Sequence, residues 1–393
     1  MQTSSFHPEG EALRAWLRLA NVPLSPRFLA ALLTLFGNDP QAIFAADDTA
    51  LEQAPGFHAR YLTRLRDPAY AATDRQVAWI ERHEVQLVLQ GQPGYPRLLS
   101  EIPDPPALLF VQGTLAAEDR LSVGMVGSRH ATPYGRATAE RIARELAGYG
   151  LTVVSGGAVG IDAAAHRGAL SAGGRTLAVL GCGLDVDYPR ENRALFAQIA
   201  AQGALISEYP PGAQPEAWHF PLRNRIISGL SLGVLVVEAP KQSGALITSG
   251  YAAEHGRPIL AVPGNIDRSA SAGTNDLLKD GAILVTETAD ILRAFDMVVL
   301  PPKPATQFAL ELEEGASTPP LDSSLQASRK GLLSSLPDAQ RKLLECLSLT
   351  PRHIDAIAQE AGLTSTQAGI EMTFLELSGL VRRLPGNTYI LGV

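Results

Sequence analysis

Six turns, each behind an apolar run, hold most of the groups in this sequence that could bind an anion. Gly127-Ser128-Arg129 follows Val123–Val126 and precedes a stretch with Ile142, Leu146 and Tyr149 at helical spacing. A strand end feeding a helix start leaves N–H groups unpaired at the positive end of the helix dipole, and Arg129 adds a fork of donors, so phosphate is the expected guest. The glycines do not form a dinucleotide fingerprint, because Gly124 lies within the strand, and no cofactor is expected. The second turn, Ser155-Gly156-Gly157-Ala158-Val159-Gly160, leads to Asp162 and His166, which are either an acid–base pair or a helix start and a packed imidazole.

The third turn carries Arg190 and Arg193 on one helical face, with Phe196 one step further. A cation beside a ring suits single-stranded nucleic acid, phosphate on one and a base on the other, although Phe196 also fits a core position. In the fourth, Phe220-Pro221-Leu222-Arg223-Asn224-Arg225, Pro221 can open a helix whose first turn then holds Arg223, Asn224 and Arg225. Cations there oppose the dipole unless anions bridge them, from outside or from carboxylates such as Glu238 or Asp162. The fifth turn offers Lys241, with Ser243 as N-cap and Ser243 and Gly244 as amide donors; Glu238 before it is either paired or a catalytic acid. Pro263-Gly264-Asn265 closes the series.

These turns need a scaffold that sets them side by side. Between residues 86 and 295, continuous apolar runs, the mark of strands covered on both faces, alternate with helical stretches. The strands are expected at Leu87–Leu89, Leu108–Val111, Leu121–Val126, Leu151–Val154, Thr176–Leu180, Ala204–Ile206, Gly233–Val237, Pro258–Val262 and Ile283–Val285. The fold class is α/β, an extended Rossmann-like, doubly wound and mostly parallel sheet, with all six turns on the rim of strand carboxyl ends.

Two smaller modules flank it. Residues 1–85 read as a small helical domain of the SAM or helix-hairpin-helix kind, broken at Asn21-Val22-Pro23, Gly37-Asn38-Asp39-Pro40 and Pro55-Gly56. Residues 296–335, with Pro301-Pro302-Lys303-Pro304 and Ser317-Thr318-Pro319-Pro320, read as a flexible linker. Residues 336–393 read as a winged helix: Asp338–Leu347, Pro351–Ala361 and Ser365–Gly379, then strands Leu380–Leu384 and Thr388–Leu391 about a turn at Pro385-Gly386-Asn387. Its third helix, capped by Thr364 or Ser365 and with Ile370, Phe374 and Leu377 on its core face, has no Lys or Arg over Ser365–Ser378, which favours a protein contact over duplex recognition.

With 393 residues and a net charge of −7, the chain is globular and acidic overall. An acidic total argues against nucleic acid only when the cations are spread evenly, and here Arg129, Arg190, Arg193, Arg223, Arg225 and Lys241 are expected on one rim. Cys182 and Cys346 form no metal or disulfide pattern, so no metal site is expected. No apolar run is long enough to span a membrane, and His7, Glu9, Glu11, Arg14 and Arg18 interrupt the place of a signal peptide, which makes the cytoplasm the expected compartment, with no membrane partner.

In its ordered motifs the chain resembles the DNA-processing protein A (DprA/Smf) family. The resemblance rests on Tyr95-Pro96-Arg97-Leu98-Leu99, Ile102-Pro103-Asp104-Pro105-Pro106, Gly127-Ser128-Arg129, Gly160-Ile161-Asp162-Ala163-Ala164-Ala165-His166, Tyr188-Pro189, Phe220 to Arg225 and Ala261-Val262-Pro263-Gly264. It implies a homodimeric, non-enzymatic protein that binds single-stranded DNA, protects incoming DNA in natural transformation and helps load RecA recombinase, including past single-strand-binding protein. It also implies DNA contacts at Arg129, Arg193 and Phe196, with the Gly127 and Ser128 amides on phosphate. The second turn departs from the family's Ser-Gly-Leu-Ala-Arg-Gly and lacks its cation. The competing reading is a nucleotide-processing enzyme on the same rim, with Glu238 or Asp162 as acid or base; a third is a duplex-reading regulator using residues 336–393.

Overall fold

Short, well-capped helices open the chain: α1 (Gly10–Asn21), α2 (Pro26–Leu35), α3 (Pro40–Ala45), α4 (Asp48–Glu52), α5 (Ala59–Arg66) and α6 (Asp74–Arg82). Ser25, Asp39 and Asp47 each accept a backbone N–H at a helix start, and Thr73 forms a reciprocal capping box with Gln76. These come from a computed structural model that describes residues 8–297, and within the C-terminal part 338–347, 352–364, 367–369, 371–372, 375, 381–384 and 388–391. They divide into two compact units, one within residues 1–307 and one within 308–393.

The first unit is built on nine strands: β1 (Gln86–Leu89), β2 (Leu108–Gly113), β3 (Ser122–Val126), β4 (Thr152–Ser155), β5 (Thr176–Leu180), β6 (Ala204–Ser207), β7 (Gly233–Val236), β8 (Ile259–Ala261) and β9 (Ile283–Leu284). Their spatial order is β1-β2-β6-β5-β4-β3-β7-β8-β9. The run from β6 to β9 is parallel, while β2 joins β6, and β1 joins β2, antiparallel. All nine expected strands are present, within a residue or two at each end. Winding proceeds from β3 through β4 and β5 to β6, then restarts beside β3 with β7, so the topological switch lies between β3 and β7.

Between the strands run α7 (Arg97–Ser100), α8 (Pro133–Gly148), α9 (Ile161–Ser171), α10 (Arg193–Gln202), α11 (His219–Leu230), α12 (Ala245–Glu254), α13 (Ala272–Lys279) and α14 (Thr288–Ala294). One face of the sheet packs Ile142, Leu146 and Ile161 of α8 and α9; the other packs Ile226, Leu230 and Ala252 of α11 and α12. The N-terminal helices have no core to themselves. Trp16, Phe28, Leu32 and Ile43 belong to one buried cluster with Leu87, Phe110, Leu180 and Phe196, so the helical module is fused to the β1–β2 end of the sheet.

The second unit contains α15 (Asp338–Glu345), β10 (Arg352–His353), α16 (Ile354–Ala361), β11 (Val381–Leu384) and β12 (Thr388–Leu391), with sheet order β10-β12-β11. That is the winged-helix arrangement, with β10 as a strand that periodicity did not reveal. Thr364 supplies the expected cap, accepting from Gln367 N while its own N–H reaches the Gln367 side chain. In the third helix Ala368, Met372 and Leu375 are buried. The expected core residues Ile370, Phe374 and Leu377, the turn Pro385-Gly386-Asn387 and nearly all of the expected linker lie outside the described residues.

Candidate nucleic-acid interface

The turns after β3 and β7 meet at the switch point, and they are locked together. Ser128 N donates to Glu238 O at 2.7 Å, and Ile161 N donates to Ser128 O at 3.2 Å. No side chain fits at Gly127: a Cβ there would lie 2.5 Å from Ile161 Cγ1 and 2.8 Å from Glu238 O. Gly160, at φ +85°, likewise lies against the Ser128 and Arg129 carbonyls. This corrects one expectation. The Ser128 amide is consumed by the fold and does not face a guest.

The positive end of α8 is also taken. Thr132 caps the helix through Gly135 N, and the Glu238 carboxylate accepts both Thr132 N (2.8 Å) and Thr132 Oγ1 (2.5 Å). Glu238 is buried, and a Cβ on Gly135 would sit 2.7 Å from its Oε2. The anion that the dipole favours is therefore internal. Of the two readings of Glu238, paired or catalytic, the geometry is that of the paired carboxylate.

The fourth turn departs furthest from expectation. α11 begins at His219, two residues before Pro221, and is buried on all sides from Arg223 to Leu230, which leaves Arg223 and Arg225 at 5% and 3% exposure. Arg223 Nη1 donates to Gly156 O at 2.6 Å and to Val179 O, bracing the second turn and the end of β5. Its charge is answered by Asp162, which accepts from Gly156 N and Ala158 N. Burial raises the Asp162 carboxyl above its ordinary range, with Arg223 and the Ala158 and Gly156 amides pulling it back. Arg225 Nη2 donates to both oxygens of the Glu208 carboxylate, at 2.7 and 2.8 Å, with Asp104 3.8 Å from its Nε. Asn224 accepts from Arg223 Nε and donates to Gly244 O. As solvent-facing phosphate contacts, Arg223, Asn224 and Arg225 are corrected to internal struts.

Phe196 is corrected in the same way. It is buried, and a Cβ at Gly157 would meet its ring at 2.9 Å, so it props the second turn from below. His166 is fully buried beside Thr176, whose hydroxyl already donates to Val153 O, so His166 Nδ1 carries the proton and donates to Thr176 Oγ1 at 2.7 Å. Burial first, then the charges of Arg167 and Arg223, lower its pKa to about 3. Asp162 and His166 thus face separate partners rather than each other. Ser243 lies one residue before the N-cap, Gly244, and accepts from Ala245 N at 3.3 Å; its own N–H goes to Pro240 O.

What remains exposed is a row that the sequence did not announce. The Arg129 guanidinium lies 5.2 Å from the centre of the Phe220 ring, and Phe220 lies 5.5 Å from Tyr188, both centre to centre for the ring pair. Tyr188 is 37% exposed, and Trp218, two residues before Phe220, is 58% exposed. Arg190 and Arg193 follow Tyr188 in the chain and are exposed, Arg193 with Asp187 at 3.4 Å. Lys241 is placed elsewhere, paired with Asp276 at 2.9 Å beside Leu246 of α12 and Leu277 of α13. The available signal for the row was an aromatic residue directly before proline in two of the polar turns, Tyr188-Pro189 and Phe220-Pro221. Among the described residues no three metal-ligating side chains cluster, and no helix is long and apolar enough to cross a membrane.

Comparison with known proteins gives consistent matches. The family model for DNA recombination-mediator protein A matches residues 86–296, and one for the DprA winged helix domain matches residues 327–387. Protein Smf of Synechocystis is 35% identical, over 95% of this chain and 97% of its own. The DNA processing protein DprA of Streptococcus pneumoniae is 47% identical over 51% of this chain and 71% of its own. The X-ray structure of DNA processing protein A from Streptococcus pneumoniae superposes with a TM-score of 0.62 at 37% identity, covering 70% of this chain and 95% of that one.

Proposed function

We propose, from the premise that this chain belongs to the DNA recombination-mediator protein A family, the DprA/Smf proteins, that it binds single-stranded DNA without chemistry on it. It protects incoming strands in natural transformation and passes them to RecA recombinase, displacing single-strand-binding protein. The observation that carries this reading is the row of exposed Arg129, half-buried Phe220 and exposed Tyr188, followed in the chain by exposed Arg190 and Arg193: cations for phosphates, rings for unstacked bases. The enzymatic alternative loses support because its candidate groups are engaged. Glu238 serves Thr132, Asp162 serves the second turn and Arg223, and His166 serves Thr176.

The protein works as a homodimer in this reading, and the edge strand β9 is the surface we assign to self-association. Ile283 and Leu284 are 38% and 52% exposed there, on an edge that pairs with no further strand among the described residues. The winged helix makes a protein contact. The decisive experiment titrates salt against affinity for single- and double-stranded oligonucleotides of equal length, then adds RecA to strands coated with single-strand-binding protein. Tighter single-strand binding and faster RecA filament growth are expected; equal affinity for both forms and no effect on RecA would overturn the reading. Leu284→Arg is expected to convert the dimer to monomer by light scattering.

A further inference from the structure

A cavity of about 1240 Å³ lies between the N-terminal helical module and the sheet domain, and of its lining the reading above uses only Arg190 and Arg193. It exceeds the roughly 300–1,000 Å³ of a small-molecule site, so a polymer segment fits it better than a single nucleotide. One wall is helical, with Leu24 and Arg75; the other carries Arg190, Arg193 and the exposed Trp218. The walls are fixed relative to each other, because they share one hydrophobic core and Gln76 Nε2 donates across to Pro211 O at 2.8 Å.

Charge separates a nucleic acid from other occupants. Four carboxylates line the cavity and each is answered within the protein: Glu208 by Arg225, Asp104 by Arg225 and Arg27, Asp187 by Arg193, and Asp185 by Gly212 N. Arg75 and Arg190 are exposed and have no ion pair or hydrogen bond among the described side chains. Two unanswered cations thus line the cleft near an exposed indole, whose ring meets that of its chain neighbour His219 edge-on at 4.1 Å. Two of its lining residues neighbour the row along the chain: Trp218 stands two residues before Phe220, and Arg190 two after Tyr188.

We infer that the single strand does not end at the rim but continues into this cleft, with a base stacked on Trp218 and phosphates on Arg190 and Arg75, so that the N-terminal helical module forms one wall of the DNA path. This rests on the proposed function and extends it to a module that has only a packing role in that reading. The test uses the full chain and an oligothymidylate of about 16 nucleotides, long enough to fill such a groove. Trp218→Ala is expected to weaken binding at least about fivefold, the lower range of one base–aromatic stack. Arg75→Glu is expected to weaken it comparably and flatten the log–log salt slope by about 0.7, one single-strand phosphate. Trp218→Phe, which keeps a ring, is expected to restore most of the affinity.

Both residues are exposed, so circular dichroism should be unchanged in each variant. If Arg75→Glu and Trp218→Ala leave affinity and slope untouched while Arg129→Ala weakens binding, the strand is held at the rim alone and the cleft inference is wrong, with the proposed function intact. If all three are silent, both fall. Loss at Arg75 and Trp218 with no loss at Arg129 supports the cleft and removes the rim.

Discussion

Arg129, in the turn after β3, and Arg223, in α11, are close enough for Arg129 to lower the Arg223 pKa, and they have opposite fates. Arg129 stands in solvent beside an aromatic ring. Arg223 is sealed inside, two carbonyls and a carboxylate accounting for its charge. On the proposed function, the difference is how this acidic chain builds a site for a polyanion. One set of cations ties the loops into a fixed rim, and a second set, held up by the first, is left for the guest.

The sharpest way to break that comparison is Arg223→Ala, which leaves Asp162 buried without its countercharge and is expected to destabilise the fold by about 3–5 kcal/mol in denaturant titration. The loss should depend on pH. Without Arg223 the Asp162 carboxyl moves further above its unfolded value, and a carboxyl so shifted stabilises the fold when protonated. The deficit is therefore smallest below the ordinary carboxyl pKa and grows as pH rises through the folded value; a flat profile would sink the pairing. Glu238→Ala comes next, stranding the Thr132 donors at a cost of about 1–3 kcal/mol in the same titration. Arg129→Ala should leave the unfolding midpoint unchanged and weaken oligothymidylate binding by about tenfold, as a charged hydrogen bond lost. Lys241→Ala, whose ammonium is exposed and whose partner Asp276 is half-buried, is expected to change neither stability nor strand affinity measurably, and a binding loss there would redraw the rim.

The architecture was legible because buried parallel strands are continuous apolar runs, and nothing else in residues 86–295 looks like them. The winged helix was legible by helix order and the Thr364 cap. Which arginines face water was not. Arg190 and Arg223 have similar polar neighbours in sequence, and only the packing of α11 within the fold buries Arg223. Phe196 sat at the right spacing for a stacking ring, but Gly157 makes room for it beneath the second turn. The aromatic row was hidden for the converse reason: Tyr188 and Phe220 are 32 positions apart, and the fold alone brings their rings together.

The carboxylate of Glu238 at the start of α8 has a consequence for selectivity in a crowded solution. Doubly wound sheets commonly collect a mononucleotide at the switch point, and there a free triphosphate would compete with any strand. Here the seat is held by a covalently attached occupant that cannot be diluted away. Affinity must then come from several modest contacts spread along a chain, each too weak to retain a monomer and additive only when the phosphates are linked. On the proposed function, such a surface ignores the nucleotide pool and responds to length.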